Sequence, residues 1–73
     1  MDNEQLIETV REAGVKAGQA SKHQDWATVR YWKQTLDSLE ATLKDAGIDA
    51  HAIYQEAYRQ GSGFYDNKFT PFN

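Results

Sequence analysis

The sequence contains no cysteine, one proline and two histidines among its 73 residues. Without cysteine the chain can form no disulfide, and this absence is typical of proteins in a reducing compartment. Two histidines alone are too few for a structural zinc site, which takes four Cys or His ligands. A single domain of this size buries only about 60% of the surface of its unfolded chain, so its stability is marginal. We therefore expect extra stability to come from oligomerisation or from docking onto a partner.

Long apolar runs are missing as well. None approaches the ~20 residues needed to cross a bilayer. The opening segment, MDNEQLIETVREAG, is acidic and polar where a secretion signal would be basic and apolar. We expect no association with a membrane and a location in the cytoplasm, or in a virion if the source is viral.

Catalytic motifs are also absent from the sequence: there is no G-x-S-x-G, no P-loop and no G-x-G-x-x-G. The segment GSG at 61–63 is expected to be a flexible joint, since no strand pattern precedes it and no helix pattern follows. Asp45, Asp49 and His51 fall near one another around Gly47, but their number and spacing match no metal-binding motif. We predict a protein that is not an enzyme and that uses no metal or cofactor.

Apolar residues recur at helical spacing in three segments. The apolar positions are Leu6, Val10, Ala13, Ala17 and Ala20 in the first segment, Val29, Trp32, Leu36, Leu39, Leu43 and Ala46 in the second, and Ala50, Ile53 and Ala57 in the third. Spacings of three and four residues predict an amphipathic helix in each. The expected fold class is all-α, with helices over about 3–21, 25–46 and 49–60.

Polar residues between these segments supply the helix boundaries. Ser21 or Asp25 is suited to cap the second helix, and Asp49 the third, because their side chains can accept from free backbone N–H groups. Gly47 stands where a left-handed glycine commonly ends a helix.

The first two helices have complementary apolar stripes. In an antiparallel hairpin the alanine-only end of the first helix meets Val29 and Trp32, so small residues face a large one. Gly14 and Gly18 each cost roughly 1 kcal/mol in a helix interior, so we expect another backbone to come close there. We predict an antiparallel helical hairpin with a short third helix as one domain over residues 1–60, followed by an extended tail over 61–73.

The tail is rich in aromatic residues. Four of the nine aromatics of the chain lie in its last ten residues. Their spacing has no helical period, and exposed aromatic groups tend to aggregate or to bind something. We interpret the tail as an anchor for a protein partner or for another copy of the chain, through Phe64, Tyr65, Phe69, Pro71 and Phe72. The alternative is that the tail folds back on its own hairpin and completes a small core.

A second candidate surface interleaves aromatic and basic residues: Trp26, Arg30, Tyr31 and Lys33. Such residues can stack on bases and hold phosphates, so they suggest a small regulatory or nucleic-acid-binding module. The alternative is an ordinary helix surface with tryptophans in the core or an interface. We favour this alternative, because the formal net charge of −3 gives the chain no general attraction for nucleic acid.

The segment GSGFY at 61–65 is similar to the Gly-rich, aromatic ending of some small head–tail joining proteins of tailed bacteriophages. The resemblance covers these five residues, and the β-hairpin that those proteins place between two helices is missing here. It implies a non-enzymatic structural or assembly role, as a virion or head–tail component that docks on neighbouring subunits.

Overall fold

The structure, a computed structural model, describes residues 3–63. In this range the chain forms three α-helices joined by short connections. Helix α1 covers Asn3–Lys22, α2 covers Trp26–Asp45 and α3 covers Ala50–Gly61. The described residues contain no strand, and the prediction of an all-helical protein with three helices is confirmed. Each helix end lies within one residue of the expected position.

Aspartates begin the second and third helices. The Asp25 carboxylate accepts from the backbone N–H of Thr28 at 3.3 Å and from the Thr28 hydroxyl at 2.7 Å. The Asp49 carboxylate accepts from the backbone N–H of Ala52 at 3.1 Å. Each satisfies a donor that the first helical turn leaves free. The Ser21 hydroxyl donates to a carbonyl within α1 and so plays no part in capping α2.

A left-handed residue ends each of the first two helices. After α2 it is Gly47, at φ +78°, where glycine has no steric penalty. After α1 it is Gln24, at φ +60°. The backbone N–H groups of Gln24 and Asp25 donate to the carbonyls of Ser21 and Ala20, both at 2.9 Å, which closes α1 with a Schellman motif. Two terminal carbonyls are thus satisfied although the turn holds a non-glycine residue in the left-handed region.

The core lies along α1, which contacts α3 most extensively and α2 next, whereas α2 and α3 touch each other only slightly. The side chains of Val10, Leu36 and Leu43 are fully buried. Burying such a side chain contributes roughly 1.5–3 kcal/mol. The remaining members of the main core cluster are Leu6, Ala13, Ala17, Ala50 and Tyr54.

Glycines allow α1 and α3 to pack backbone against backbone. A Cβ atom on Gly14 would lie 2.7 Å from both the Ala57 Cβ and the Tyr54 carbonyl oxygen. On Gly18 it would lie 2.8 Å from the Ser62 nitrogen. Real Cβ atoms essentially never come this close to such neighbours. The expectation that another backbone approaches the two glycines is met, and that backbone belongs to α3.

The order of these contacts gives the relative direction of α1 and α3. Gly14 faces Tyr54 and Ala57, whereas Gly18, one turn further along α1, faces Tyr58 and Ser62, one turn further along α3. The two helices therefore run in the same direction along their contact.

Candidate functional site

The predicted tail anchor lies outside the described residues, but the structure shows where it begins. Gly63 adopts φ +82°, and its N–H donates to the Gln60 carbonyl at 3.2 Å. The residue is buried, and a Cβ built on it would lie 3.4 Å from the Lys22 Nζ. The described part of the chain therefore ends, at Gly63, beside the C-terminal end of α1. The tail residues Phe64, Tyr65, Phe69, Pro71 and Phe72 all follow this point.

Three of the four residues of the second candidate surface lie on one side of α2. Trp26, Arg30 and Lys33 follow one another at spacings of four and three residues, which places them one above the other on the helix. Trp26 is 54% exposed, a large fraction for this side chain, and both cations are exposed. We call this group of three residues the Trp26 flank. It presents an indole with two adjacent positive charges.

Tyr31 lies elsewhere on α2. At 3.6 residues per turn it is about 140° around the helix from Trp26. It is 61% exposed, and its ring meets the Trp32 ring edge-on, with centroids 5.1 Å apart and planes at 82°. Trp32 is itself partly buried against the core. The structure therefore brings Trp26, Arg30 and Lys33 together and leaves Tyr31 on a different side of the helix.

A groove at the α2–α3 turn was not found by sequence reasoning. It has a volume of about 420 Å³ and is lined by Glu40, Lys44, Gly47, Ile48, Asp49 and Ala50. Its rim carries the carboxylates of Glu40 and Asp49 and the ammonium group of Lys44. Ile48 and Ala50 supply its apolar surface. Asp45, exposed, lies next to Lys44 on the last turn of α2. The only sequence signal for it is the pair of acids Asp45 and Asp49 on the two sides of Gly47, whose number and spacing match no metal-binding motif.

A second groove, of about 510 Å³, lies between α1 and α2 close to their connecting turn. Its lining includes Lys16, Lys22 and His23, with Ala20 and Trp32 as its apolar part. Ala20 and Trp32 thus border the same space. None of its lining residues is acidic, so the groove is positively charged.

The pKa of the buried Tyr54 lies above its usual value. Burial raises the pKa of this phenol, and the neighbouring Tyr58 and the negative charge of Asp37 raise it further. The Tyr54 and Tyr58 rings lie 6.1 Å apart, tilted by 37°. A raised pKa keeps the phenol protonated, so Tyr54 serves as a neutral core residue at ordinary pH.

Among residues 3–63, no three acidic or histidine side chains come close enough together to hold a metal ion. None of the described helices is long and apolar enough to cross a membrane. The described side chains include no buried polar or charged residue.

Comparison with protein-family models, with curated proteins and with solved structures finds no match to this chain.

Proposed function

We propose that this chain is a non-enzymatic structural or assembly protein that binds other proteins, or copies of itself, through its C-terminal aromatic tail. The anchoring residues are Phe64, Tyr65, Phe69, Pro71 and Phe72. Aromatic side chains dominate the binding energy of many interfaces because they bury large apolar areas with few rotatable bonds. The similarity of GSGFY at 61–65 to phage head–tail joining proteins favours a bacteriophage virion component, with a location in the virion or in the host cytoplasm.

One observation carries this proposal: the chain leaves α3 through a left-handed glycine, Gly63, at the end of the molecule where α1 also ends. Four of the nine aromatic residues follow that glycine within ten positions. An aromatic segment that starts at one end of a helical unit is well placed to reach a neighbouring molecule.

The proposal includes an antiparallel hairpin of α1 and α2, with α3 packed on the other side of α1. Two facts support this arrangement. Only three residues connect α1 to α2, which leaves room for little more than a reversal. In addition, α1 and α3 run in the same direction, so α2 has to return along them to connect the end of one to the start of the other.

The decisive test compares two pairs of substitutions in the tail of the full chain. Phe69→Ser with Phe72→Ser removes two aromatic groups, and Thr70→Ala with Asn73→Ala is the matched control. The observables are the mass in solution by light scattering, co-purification of partners, and the melting temperature.

We expect the aromatic pair to lose association while its melting temperature matches that of the control. Unchanged association would refute the anchor. A large fall in the melting temperature of the monomer would show instead that the tail completes its own core.

The second candidate function is a small regulatory or nucleic-acid-binding module that uses Trp26, Arg30, Tyr31 and Lys33. The observation in its favour is that an exposed indole and two cations share one side of α2. Its signature is binding to single-stranded DNA or RNA that weakens steeply as salt rises. Absence of binding at low salt would exclude this function.

A further inference from the structure

Positive charge is concentrated at one end of the helices. The C-terminal end of α1, the N-terminal end of α2 and the C-terminal end of α3 meet there, given the arrangement proposed above. The cations at this basic end are Lys16, Lys22, Arg30, Lys33 and Arg59, and the acids are the cap residue Asp25 and Glu56, one turn before Arg59 on α3.

Negative charge is concentrated at the opposite end. It carries Glu4 and Glu8 near the start of α1, Asp37, Glu40 and Asp45 toward the end of α2, and Asp49 before α3. The cations there are Lys44 and Arg11, and Arg11 is ion-paired with Glu8 at 2.7 Å. The sequence alone shows these charges as separate bands along the chain, and the helix directions bring them together at two ends. The molecule is therefore an electric dipole of opposite formal charges along its long axis.

Each end also carries an apolar feature: an exposed indole at the basic end, and at the acidic end a groove large enough to hold it. The basic end presents the half-exposed indole of Trp26, on the same side of α2 as the cations Arg30 and Lys33. The acidic end presents the groove at the α2–α3 turn, with Ile48 as apolar lining and carboxylates at its rim. At about 420 Å³ this groove has room for an indole ring.

We propose that copies of this chain associate end to end, with the Trp26 flank of one copy seated in the α2–α3 turn groove of the next. Trp26 fills the groove, Arg30 and Lys33 face the rim acid Glu40, and the exposed Asp45, beside the groove on the last turn of α2, adds a second negative charge. Tryptophan and arginine are the residues most often found at interface hot spots, and complementary charge fixes the orientation of the two copies.

The two contacting surfaces are different, so a pair of copies keeps one free surface of each kind, the groove of one copy and the Trp26 flank of the other. Such a heterologous contact builds rings if its rotation closes, and open filaments if it does not. Association of this kind gives a series of masses and not a single dimer. The interface lies within residues 3–63 and makes no use of the aromatic tail.

The first experiment measures the mass of the full chain by light scattering and sedimentation from about 10 μM to about 1 mM, the range in which a weak contact populates. It is run at about 0.02 M and about 0.5 M salt, since exposed charges are largely screened at the higher value. We expect species larger than the monomer at low salt, with a marked loss at high salt. A monomer at every concentration in low salt would overturn the proposal.

The second experiment tests the anchor with a matched pair of substitutions. Trp26→Ala should weaken association by at least about 30-fold, the effect of losing an interface hot spot. Tyr31→Ala removes an even more exposed aromatic group from another side of α2 and should change association by less than about threefold. Equal effects of the two substitutions would refute the docking of Trp26.

The third experiment exchanges the charges of the two ends. One variant carries Arg30→Glu and Lys33→Glu, and the other carries Glu40→Lys and Asp45→Lys. Each alone should be mostly monomeric at low salt, because its altered end repels its intended partner. A mixture of the two should associate again, since each altered end now complements the altered end of the other variant.

Both double variants should fold, because they place acids near the start of α2 and cations near its end, as the helix dipole favours. Circular dichroism and the melting temperature of each verify this. Glu12→Lys, an exposed change in the middle of α1, is the control for altered net charge. A mixture that stays monomeric would overturn the proposal.

The tail variant Phe69→Ser with Phe72→Ser separates this proposal from the proposed function. End-to-end association should persist in that variant and disappear in Trp26→Ala. The converse result, association lost with the tail aromatics and kept in Trp26→Ala, would refute the end-to-end contact and leave the tail anchor standing.

Discussion

Replacing Gly18 with alanine tests the close packing of α1 against α3. In an open helix position this change stabilises by about 1 kcal/mol, because alanine has the higher helix propensity. Here the new Cβ would meet the Tyr58 carbonyl oxygen, and it would lie 2.8 Å from the Ser62 nitrogen and 3.0 Å from the Gly61 carbonyl carbon. All three are backbone atoms, so no side chain can rotate away, and the helices have to separate.

The cost of separating α1 from α3 determines how much Gly18→Ala changes the free energy of unfolding. Overpacking a core costs typically 1–3 kcal/mol, and contact with three backbone atoms places Gly18→Ala in the upper part of that range, at about 2–3 kcal/mol, which exceeds the gain in propensity of about 1 kcal/mol. We expect a net loss of about 1–2 kcal/mol in the free energy of unfolding. For a domain of this size, each kcal/mol lowers the melting temperature by roughly 4–8 °C.

The assay is thermal and urea unfolding followed by circular dichroism, with Gln19 as the matched position. Gln19 is exposed and adjacent to Gly18 in α1, and the difference between Gln19→Gly and Gln19→Ala measures the propensity term alone. If Gly18→Ala stabilised the protein by as much as that difference, the close contact of α1 with α3 would be refuted.

Three further predictions concern the turn, the core and the alkaline limit of stability. Gln24→Gly should raise the free energy of unfolding by about 0.5–1 kcal/mol, because φ +60° is strained for glutamine and free for glycine; no gain in urea unfolding would contradict the left-handed turn. Leu36→Ala should lower it by about 2–5 kcal/mol, since Leu36 is fully buried, and a loss below about 1 kcal/mol would contradict that burial. Because burial raises the pKa of Tyr54 above its usual 10.0, the unfolded state releases this proton first, and stability should fall as pH rises above that value. Tyr54→Phe should lessen this fall in unfolding experiments at alkaline pH, and an unchanged pH dependence would show that Tyr54 is not its source.

The helices could be predicted from the sequence because their signals are local. Asp25 and Asp49 stand directly before apolar stripes, and Gly47 stands directly after one, so each boundary is specified by the residues beside it. The left-handed conformation of Gln24 could not be foreseen, since glutamine has no preference for it. It is held by the two hydrogen bonds that end α1.

The sequence predicts only the α1 side of the contact between α1 and α3. Gly14 and Gly18 indicate that some backbone comes close, but the matching small residues Ala57 and Gly61 fit equally well the apolar stripe and the end of a short helix. Their partnership depends on the direction of α3, which no local pattern specifies. The groove at the α2–α3 turn was missed for the same reason, because it forms only when residues from two helices meet.

The parallel course of α1 and α3 places residues 3 and 63 at opposite ends of the helical unit. With about 1.5 Å per residue, the 20 residues of α1 separate these ends by roughly 30 Å. A tandem fusion of two units through a short linker would therefore extend in a line. In a unit with an even number of antiparallel helices, both ends would lie on the same side, and such a fusion would double back. Energy transfer between dyes at residues 3 and 63 would report directly whether this separation survives in solution.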